Sequence, residues 1–382
     1  MPPSYEQLSH LFRFFGETQC RGRSDVYATL SAAVADDDQL LELTSTAPPD
    51  QRRPSLLFAA VNLLLANDQD AALRSYYPIH GGTRKIDARL APTFAAFCRE
   101  HWSELEQLLA TRSTQTNEIR RCFALRLGRH ELARHWPGPV HLLEIGASAG
   151  LNLIFDRYAY RLDGSPLAGG DESTVVVETA QRGITADRLW ADRPAPVRQR
   201  LGLDQHPVDL DDPEARNWLE AFIWPERIDD LATLRGAIEA FRTTEADVRL
   251  VRGDAVADTA AVIDELPGDE PVLVFTASLL SYLDQDQRTA FDDQLRSAAE
   301  RRRIGWVFAE GPALLARSGI DAAGLSGPLA SVVTNYAVGV SLRSPDTRHD
   351  QILALAEPYL RWIAPARVPD DDFAWASDPT AP

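Results

Sequence analysis

The chain has 382 residues, 45% of them hydrophobic, which is enough for a large core in one or two domains. Its 56 acidic and 39 basic residues give a formal net charge of −17. This acidic balance argues against a nucleic-acid partner, because phosphate backbones require a basic surface. No apolar run reaches the length of a membrane span, so no membrane partner is expected.

Other compositional features predict a cytoplasmic protein. Cys20, Cys98 and Cys122 are far apart in the chain, which is typical of reduced, buried thiols. The first residues, MPPSYEQLSH, lack the apolar core of a signal peptide. Arginine replaces lysine almost throughout, with Lys85 as the one exception, and together with the acid excess this is typical of a salt-adapted cytoplasm.

Residues 1–136 are predicted to form an all-helical cap domain. Apolar residues recur there at spacings of three and four, and Pro or Gly residues separate the segments. The predicted helices are 5–18, 25–36, 55–66, 90–109 and 117–127. The sequence Trp-Pro-Gly-Pro at 136–139 is the expected domain boundary.

Residues 137–365 are predicted to form an α/β domain with a Rossmann-like sheet, followed by a loose tail at 366–382. Short apolar strands alternate with helices, which indicates a parallel sheet covered on both faces. An inserted hairpin is expected near 163–183, and late strands, antiparallel in one interpretation, at 332–342. The other strands are expected at 142–145, near 197–204, and at 248–251, 272–275 and 304–308, and the helices at 151–160, 211–241, 256–266 and 286–302.

The segment HLLEIGASAGLN at 141–152 carries the clearest functional signal. An apolar strand ends in Glu144 and runs into a turn of small residues, Gly146 to Gly150, before a predicted helix. Small residues let a ligand approach the backbone, and the first N–H groups of a helix can point at that ligand. Parallel α/β sheets bind nucleotides in this way at the carboxyl ends of their strands.

Several interpretations of this turn compete. The dinucleotide pattern G-x-G-x-x-G fits poorly, since the glycines stand at 146 and 150. G-x-S-x-G fits the nucleophile elbow of α/β-hydrolases, with Ser148 as nucleophile and His349 or His206 as base. Acid-x-G-x-small-x-G is the first motif of S-adenosylmethionine-dependent methyltransferases. An ordinary strand-to-helix turn remains a further alternative.

The position of the turn in the chain favours the methyltransferase interpretation. A hydrolase elbow follows a strand deep in the sheet, but the residues before 139 are predicted to be helical. In a methyltransferase the cofactor strand comes first, as strand 142–145 does here. The turn then requires an acid for the ribose hydroxyls, for which Asp204 is the candidate and Asp209 or Glu178 the alternatives. Asp254 is the candidate for accepting a hydrogen bond from the adenine amine.

Several motifs recur in an order that resembles a known family. They are HLLEIGASAGLNLIFDRYAY, preceded by STQTNEIRRC and followed by RLGLDQHPVDL, RNWLEAFIWPE and VRGDAV. Over roughly residues 8–315 the chain resembles the prokaryotic family known as domain of unknown function 2332. The resemblance implies a Rossmann-type methyltransferase domain behind a helical N-terminal region, with S-adenosylmethionine as cofactor, and it implies no substrate.

The site residues are therefore predicted in three groups. The cofactor-binding residues are Glu144, Gly146, Ala147, Ser148, Gly150, Asn152, Asp204, Asp254 and Ala255. The substrate-binding residues are Gln115, Asn117, Arg121 and Ser278, and the candidate catalytic bases are Glu118, Tyr282 and His80. For the segment 114–121 an N-terminal helix cap, made by Thr116 or Asn117, is an equal alternative. No metal site is predicted, because His130 and His135 are five residues apart and face different sides of a helix.

The predicted function is methyl transfer to a small molecule or a protein side chain. Such a reaction depends mainly on holding the donor and the acceptor in line. A serine hydrolase that uses Ser148 and a non-catalytic cofactor-binding module remain the alternatives. The sequence indicates no oligomeric state.

Overall fold

The structure is a computed structural model that describes residues 5–167, 173–182, 196–321 and 335–366. The chain forms two compact units. The helical unit comprises Met1–Thr116 and Asp209–Arg235, and the sheet unit comprises Asn117–Val208 and Gly236–Pro382. This division differs from the predicted boundary at residue 136, and it assigns the segment before the first strand to the sheet unit. Of the predicted tail at 366–382, residues 367–382 lie outside the described residues.

The helices and strands within the described ranges follow one another as in a mixed α/β protein. The helices are α1 (Tyr5–Phe14), α2 (Asp25–Ala35), α3 (Asp38–Ser45), α4 (Pro54–Asn67), α5 (Leu90–Glu100), α6 (Trp102–Thr111), α7 (Cys122–His135), α8 (Pro213–Ala221), α9 (Ile228–Thr243), α10 (Thr259–Asp264), α11 (Gln285–Ala299) and α12 (Pro312–Leu315). The strands are β1 (Val140–Ile145), β2 (Ala159–Leu162), β3 (Ser165–Pro166), β4 (Val176–Gln181), β5 (Val197–Asp204), β6 (Val248–Arg252), β7 (Val272–Ala277), β8 (Ile304–Glu310), β9 (Tyr336–Arg343), β10 (Arg348–Ala356) and β11 (Trp362–Pro365).

The helical unit has an aromatic core centred on Phe58. Its ring stacks on Tyr27 with a centroid distance of 4.4 Å and meets the edge of Phe12 at 6.0 Å. On the same helix, the buried Asn62 side chain donates to the carbonyls of Ala221 and Ile223 at 2.9 and 3.1 Å. These bonds explain why residues far along the chain belong with the N-terminal helices.

The predicted helices of this unit are confirmed with three differences. Helix α3 was not predicted, although Asp37 caps it by accepting from the N–H groups of Gln39 and Leu40. The predicted helix 90–109 is divided at His101 into α5 and α6. The predicted helix 5–18 ends as α1 at Phe14 and continues as a π-helical turn.

The described strands form one mixed sheet in the order β3-β2-β4-β11-β10-β9-β8-β7-β1-β5-β6. The five strands β6, β5, β1, β7 and β8 are parallel to one another. Strand β9 is antiparallel to β8, as expected in one interpretation of the late strands, and β10 is antiparallel to β9. The predicted mixed α/β class, with helices at the N-terminal end, is therefore confirmed.

Helices cover both faces of the sheet at β8. Trp306 and Phe308 pack in a core that also contains residues of α10 and α11. Because successive side chains of a strand point to opposite faces, Val307 faces the other side of the sheet. There Val307 meets α7 at Gly128, where a Cβ would come within 2.3 Å of it. The missing side chain lets α7 lie close against the sheet, so α7 belongs structurally with β8 and β9.

The segment after β1 differs from the prediction. The expected helix 151–160 is a 3₁₀ helix, Leu151–Arg157, with non-helical angles at Ile154, and β2 begins at Ala159. The predicted hairpin near 163–183 begins earlier, because β2 and β3 form an antiparallel pair around residues 163–164. Strand β4 then pairs parallel to β2. Residues 168–172 and 183 of that prediction lie outside the described residues.

A bilayer-spanning helix would need both length and an uninterrupted apolar sequence. Among the helices that the structure describes, none has both.

Candidate functional site

The candidate site lies at the carboxyl ends of the parallel strands. Strand β1 has β5 and β6 on one side and β7 and β8 on the other, so the chain changes direction across the sheet at β1. In open α/β sheets, ligands bind outside the carboxyl ends of the strands at such a reversal. The turn after β1 (the β1 turn, residues 146–150) and the turn after β7 (the β7 turn, residues 278–282) both lie at this edge.

The β1 turn has an unusual backbone. Gly146, Ser148 and Gly150 have φ angles of 75°, 52° and 71°, so every second residue is in the left-handed region. A Cβ at Gly146 would meet a single neighbour, the Cδ1 atom of Leu279 at 3.2 Å. A side chain at Gly146 would therefore be crowded by Leu279 of the β7 turn and would require a left-handed backbone conformation.

The N–H groups of this turn do not all face outwards as predicted. Gly146 and Ala147 both donate to the carbonyl of Leu203 on β5, at 2.8 and 3.3 Å. The Ser148 N–H donates to the Asp204 carboxylate at 2.8 Å. The 3₁₀ helix that follows is too short to point a row of free N–H groups at a ligand, as was predicted. The N–H groups of the turn are bonded to β5 instead.

Asp204 is brought to the β1 turn, as the sequence predicted. Its Oδ2 accepts from Ser148 N–H and its Oδ1 accepts from His206 N–H, both at 2.8 Å. The side chain is partly exposed. Because a carboxylate has about four acceptor positions, about two remain for a ligand.

Glu144 lies beneath the turn in a buried hydrogen-bond chain. The Cys122 thiol donates to Asn152, and the Asn152 amide donates to Glu144 Oε1 at 2.8 Å. Within the described residues, Glu144 Oε2 has no hydrogen-bond partner. Burial, opposed by the Asn152 hydrogen bond and assisted by the nearby Asp204 charge, raises the pKa of the Glu144 carboxyl to about 8. The predicted residues Glu144 and Asn152 therefore form the floor of the turn.

Asp254, predicted to meet the adenine amine, is held by the protein itself. Its Oδ1 accepts from the N–H groups of Val256 and Ala257, and its Oδ2 accepts from Gln205 at 2.7 Å. Ala255 is buried beside it. These bonds give Asp254 a turn-capping role and leave its Oδ2 with a remaining acceptor position.

The β7 turn holds a second polar cluster. Ser278 has a φ angle of 62°, and its Oγ accepts from the Arg121 Nη2 group at 2.8 Å. The same Oγ is hydrogen-bonded to the hydroxyl of Tyr336, at the start of β9. Arg121 also donates to the carbonyl of Ala277 through a longer contact of 3.4 Å. The two predicted substrate residues, Arg121 and Ser278, are therefore in direct contact.

Glu310, at the end of β8, fastens the β7 turn. Its two carboxylate oxygens accept from Leu279 N–H at 2.9 Å and from Leu280 N–H at 3.2 Å. The side chain is fully buried, and this burial raises its pKa to about 7. Glu310 and Tyr336 were not predicted from the sequence as site residues. An acid at the end of an apolar strand, the signal that identified Glu144, also marks Glu310, whereas nothing in the sequence marks Tyr336.

The structure gives the other predicted residues of the sheet unit separate roles. Asn117 is brought to the β1 turn, where its amide donates to Ser148 Oγ at 2.6 Å. Glu118 caps the 3₁₀ turn Ile119–Arg121 by accepting from Arg120 N–H, so the cap is Glu118 and not Thr116 or Asn117. Tyr282 is exposed on the β7 turn.

Two predicted residues belong to the helical unit and are described within it. His80 shares a 2.6 Å hydrogen bond with Asn62, and burial lowers its pKa to about 4. Gln115 is buried, with its amide 3.5 Å from the Ser113 hydroxyl. The contacts of His80 support a structural role in its own unit.

The alternative ribose acids make other contacts. Asp209 accepts from Asp211 N–H in the turn that leads into α8. Glu178 is exposed on β4, whose neighbours in the sheet are β2 and β11. Asp204 is the acid at the end of β5, the strand adjacent to β1, and therefore the best placed of the three.

The chain matches one family model. The model, described as an uncharacterized protein conserved in bacteria (DUF2332), matches residues 9–364 and so includes both turns. No curated protein matches the chain. The resemblance to this family, which the sequence motifs indicated, is thereby confirmed.

Proposed function

The chain belongs to this family, whose description assigns no activity, and we propose that it is an S-adenosylmethionine-dependent methyltransferase. The observation that carries the proposal is the pairing of the left-handed β1 turn with Asp204 at the end of the adjacent strand. Numbered from β1, the parallel strands follow the order 3-2-1-4-5, the order of nucleotide-binding doubly wound sheets. A mononucleotide-type half of such a sheet suits an adenosyl group.

The residues of the β1 turn fit an adenosyl cofactor. Asp204 keeps about two acceptor positions, and a ribose offers two hydroxyl donors. Gly146 lacks a side chain, and a Cβ atom there would lie only 3.2 Å from Leu279. Glu144 has a buried oxygen, Oε2, without a described partner. Asp204, Gly146 and Ser148 would therefore hold the cofactor, with Asp254 offering its remaining acceptor position.

When bound, S-adenosylmethionine supplies an electrophilic methyl group on a sulfonium. The contribution of the protein is positioning, which can lower the barrier of a bimolecular step by about 7–11 kcal/mol. The β7 turn, which contacts the β1 turn through Leu279, is the element that would present the acceptor. The proposed acceptor is a small molecule or a protein side chain.

The hydrolase interpretation has less support. A Ser148 nucleophile needs a histidine within hydrogen-bond distance. In the sheet, His349 is paired with Leu342, and Leu342 is paired with Gly305 at the amino end of β8. His349 therefore lies at the edge of the sheet opposite to the carboxyl ends of the parallel strands, where Ser148 lies. The ring of His206 is 3.5 Å from the Arg252 guanidinium.

Calorimetry with S-adenosylhomocysteine and S-adenosylmethionine tests the proposal. The wild-type protein is expected to bind both, and Gly146→Val to lose at least 100-fold in affinity. Gly164→Val is the matched control, because Gly164 also has a φ of 75° but has no atom within 4 Å of its Cβ position. The control carries the same backbone strain and is expected to bind within about twofold of wild type.

Asp204→Asn examines the ribose contact in the same assay. The amide keeps one acceptor oxygen but loses the charge, so affinity is expected to fall about tenfold. Absence of binding by the wild-type protein, or equal binding by Gly146→Val, would contradict the proposal. Labelling of Ser148 by a fluorophosphonate would favour the hydrolase instead. Tight binding without methyl transfer to any metabolite fraction would indicate a non-catalytic module.

A further inference from the structure

Arg121 is a buried cation whose described acceptors are uncharged. Its side chain is 8% exposed, and its acceptors are the Ser278 hydroxyl and the Ala277 carbonyl. Among the described residues, no carboxylate forms an ion pair with it, and its Nε group is buried without an acceptor. Buried arginines are rare unless they are paired, so this arrangement requires an explanation.

The neighbouring acids compensate for this charge only in part. The Arg121 charge lowers the pKa of both Glu144 and Glu310, so both are close enough to interact with it. Burial nevertheless raises these pKa values to about 8 and about 7, which favours the uncharged, protonated form of both acids. The cluster therefore keeps a positive character on a chain whose overall charge is −17.

The groups of this cluster are hydrogen-bond donors. A guanidinium has five N–H donors, and the described bonds of Arg121 use two of them. Ser278 Oγ accepts from Arg121 and shares a hydrogen bond with the Tyr336 hydroxyl, so one of these two hydroxyl protons lies between them and the other remains to donate to a ligand. Burial raises the pKa of Tyr336, so its hydroxyl keeps a proton at neutral pH. Donors from Arg121 and from one of the Ser278 and Tyr336 hydroxyls thus converge beside the β7 turn.

We propose that Arg121, Ser278 and Tyr336 form a subsite for a carboxylate group of the methyl-acceptor substrate. The inference rests on the proposed methyltransferase function, and it makes the acceptor a small carboxylate-bearing molecule. The planar guanidinium matches a carboxylate in shape and hydrogen-bond geometry. A phosphate dianion fits less well, since Arg121 is a single cation with the carboxyl groups of Glu144 and Glu310 close by.

The test measures binding of paired probes to the protein saturated with S-adenosylhomocysteine. Benzoate and butyrate are titrated beside benzamide and butyramide, which have the same shape but no charge, and inorganic phosphate is titrated separately. The wild-type protein is expected to bind each acid at least tenfold more tightly than its amide. Arg121→Met is expected to abolish this preference, Arg121→Lys to keep part of it, and Tyr336→Phe to weaken acid binding about threefold to tenfold.

Arg126→Met is the matched control. Arg126 is also a buried arginine, 6% exposed, but its guanidinium lies over the Tyr160 ring. The control is expected to keep the acid preference, which separates the subsite from a general effect of removing a buried arginine. S-Adenosylhomocysteine affinity within about threefold of wild type shows that each variant is folded.

The outcomes separate this inference from the proposed function. Failure of the wild-type protein to bind S-adenosylhomocysteine overturns the methyltransferase and this inference with it. Cofactor binding without an acid preference, or an acid preference retained in Arg121→Met, overturns the subsite alone. Phosphate that binds tenfold more tightly than both acids also overturns the carboxylate assignment.

Discussion

Two turns at one edge of the sheet share a common construction. One follows β1 and the other follows β7, and each contains a serine with a positive φ, 52° at Ser148 and 62° at Ser278. In each turn the serine hydroxyl accepts from the segment 117–121, which lies just before α7. This short segment, outside any strand, therefore holds both turns.

Each turn is also fastened to its neighbouring strand at two consecutive residues. The first N–H group of each turn donates to a strand carbonyl, that of Leu203 or Ala309. The next residue on the strand is an acid, Asp204 or Glu310, whose carboxylate accepts further N–H groups of the turn. Repetition of this pattern indicates that the acid at the end of the adjacent strand sets the shape of the turn.

The two turns differ in what they leave available to a ligand. Asp204 is partly exposed and keeps acceptor positions, whereas Glu310 is fully buried. Asn117 brings a neutral amide to the β1 turn, and Arg121 brings a cation to the β7 turn. The same construction thus presents acceptors at one turn, suited to sugar hydroxyls, and donors at the other, suited to an anion.

The largest expected effect concerns the buried acid beneath the β1 turn. The pKa of Glu144 rises from 4.5 to about 8 on folding, so between these values the folded state holds a proton that the unfolded chain has released. The free energy of unfolding must then fall as pH rises through this range. Over the whole range this contribution is on the order of 5 kcal/mol. Glu144→Gln does not titrate and is expected to remove that part of the pH dependence.

Urea denaturation from pH 4.5 to 8.5 measures this effect, and the second turn supplies the contrast. The pKa of Glu310 rises from 4.5 to about 7 on folding. Glu310→Gln should therefore change the pH dependence only up to about pH 7, one pH unit lower than Glu144→Gln. Identical pH profiles for wild type and Glu144→Gln would show that the buried acid does not hold a proton.

A smaller effect is expected when the acid that fastens the β1 turn is removed. Asp204→Ala leaves the N–H groups of Ser148 and His206 without their acceptor. Because the site is partly exposed, the loss in unfolding free energy is expected to be about 2 kcal/mol. Asp204→Asn keeps one acceptor oxygen and should lose about half as much. Equal stability of wild type and both variants in urea denaturation would contradict the proposed fastening.

The sequence predicted the β1 turn better than the β7 turn for a physical reason. The β1 turn is encoded in consecutive residues, Glu144 to Gly150, because small residues and an acid are needed at fixed spacing. The β7 turn is completed by Glu310 and Tyr336, which reach it through the pairing of β7, β8 and β9. Strand pairing over such distances is not visible in the local pattern.

The same limit applies to the segment after the β1 turn. Its apolar residues fit a helical spacing, yet the chain forms a 3₁₀ helix and then β2, which pairs with β4. The purely apolar strand at 272–275 was predicted correctly, because a strand buried on both faces needs no alternation. Asp204 was identified as an acid beside the turn, but its bond to Ser148 N–H spans 56 positions in the chain and could not be predicted.

The smallest expected effect isolates the backbone strain that the two turns share. At Ser148 and Ser278, both Ala and Gly remove the hydroxyl, but only Gly adopts a positive φ without a steric penalty. The Gly variant should therefore be more stable than the Ala variant by about 1 kcal/mol at each site. Ser297 in α11 is the matched control, where Ala should be more stable than Gly by about 1 kcal/mol. Urea denaturation measures the stability of the six variants. If the Ala variant is as stable as the Gly variant, or more stable, at either turn, the serine of that turn is not strained.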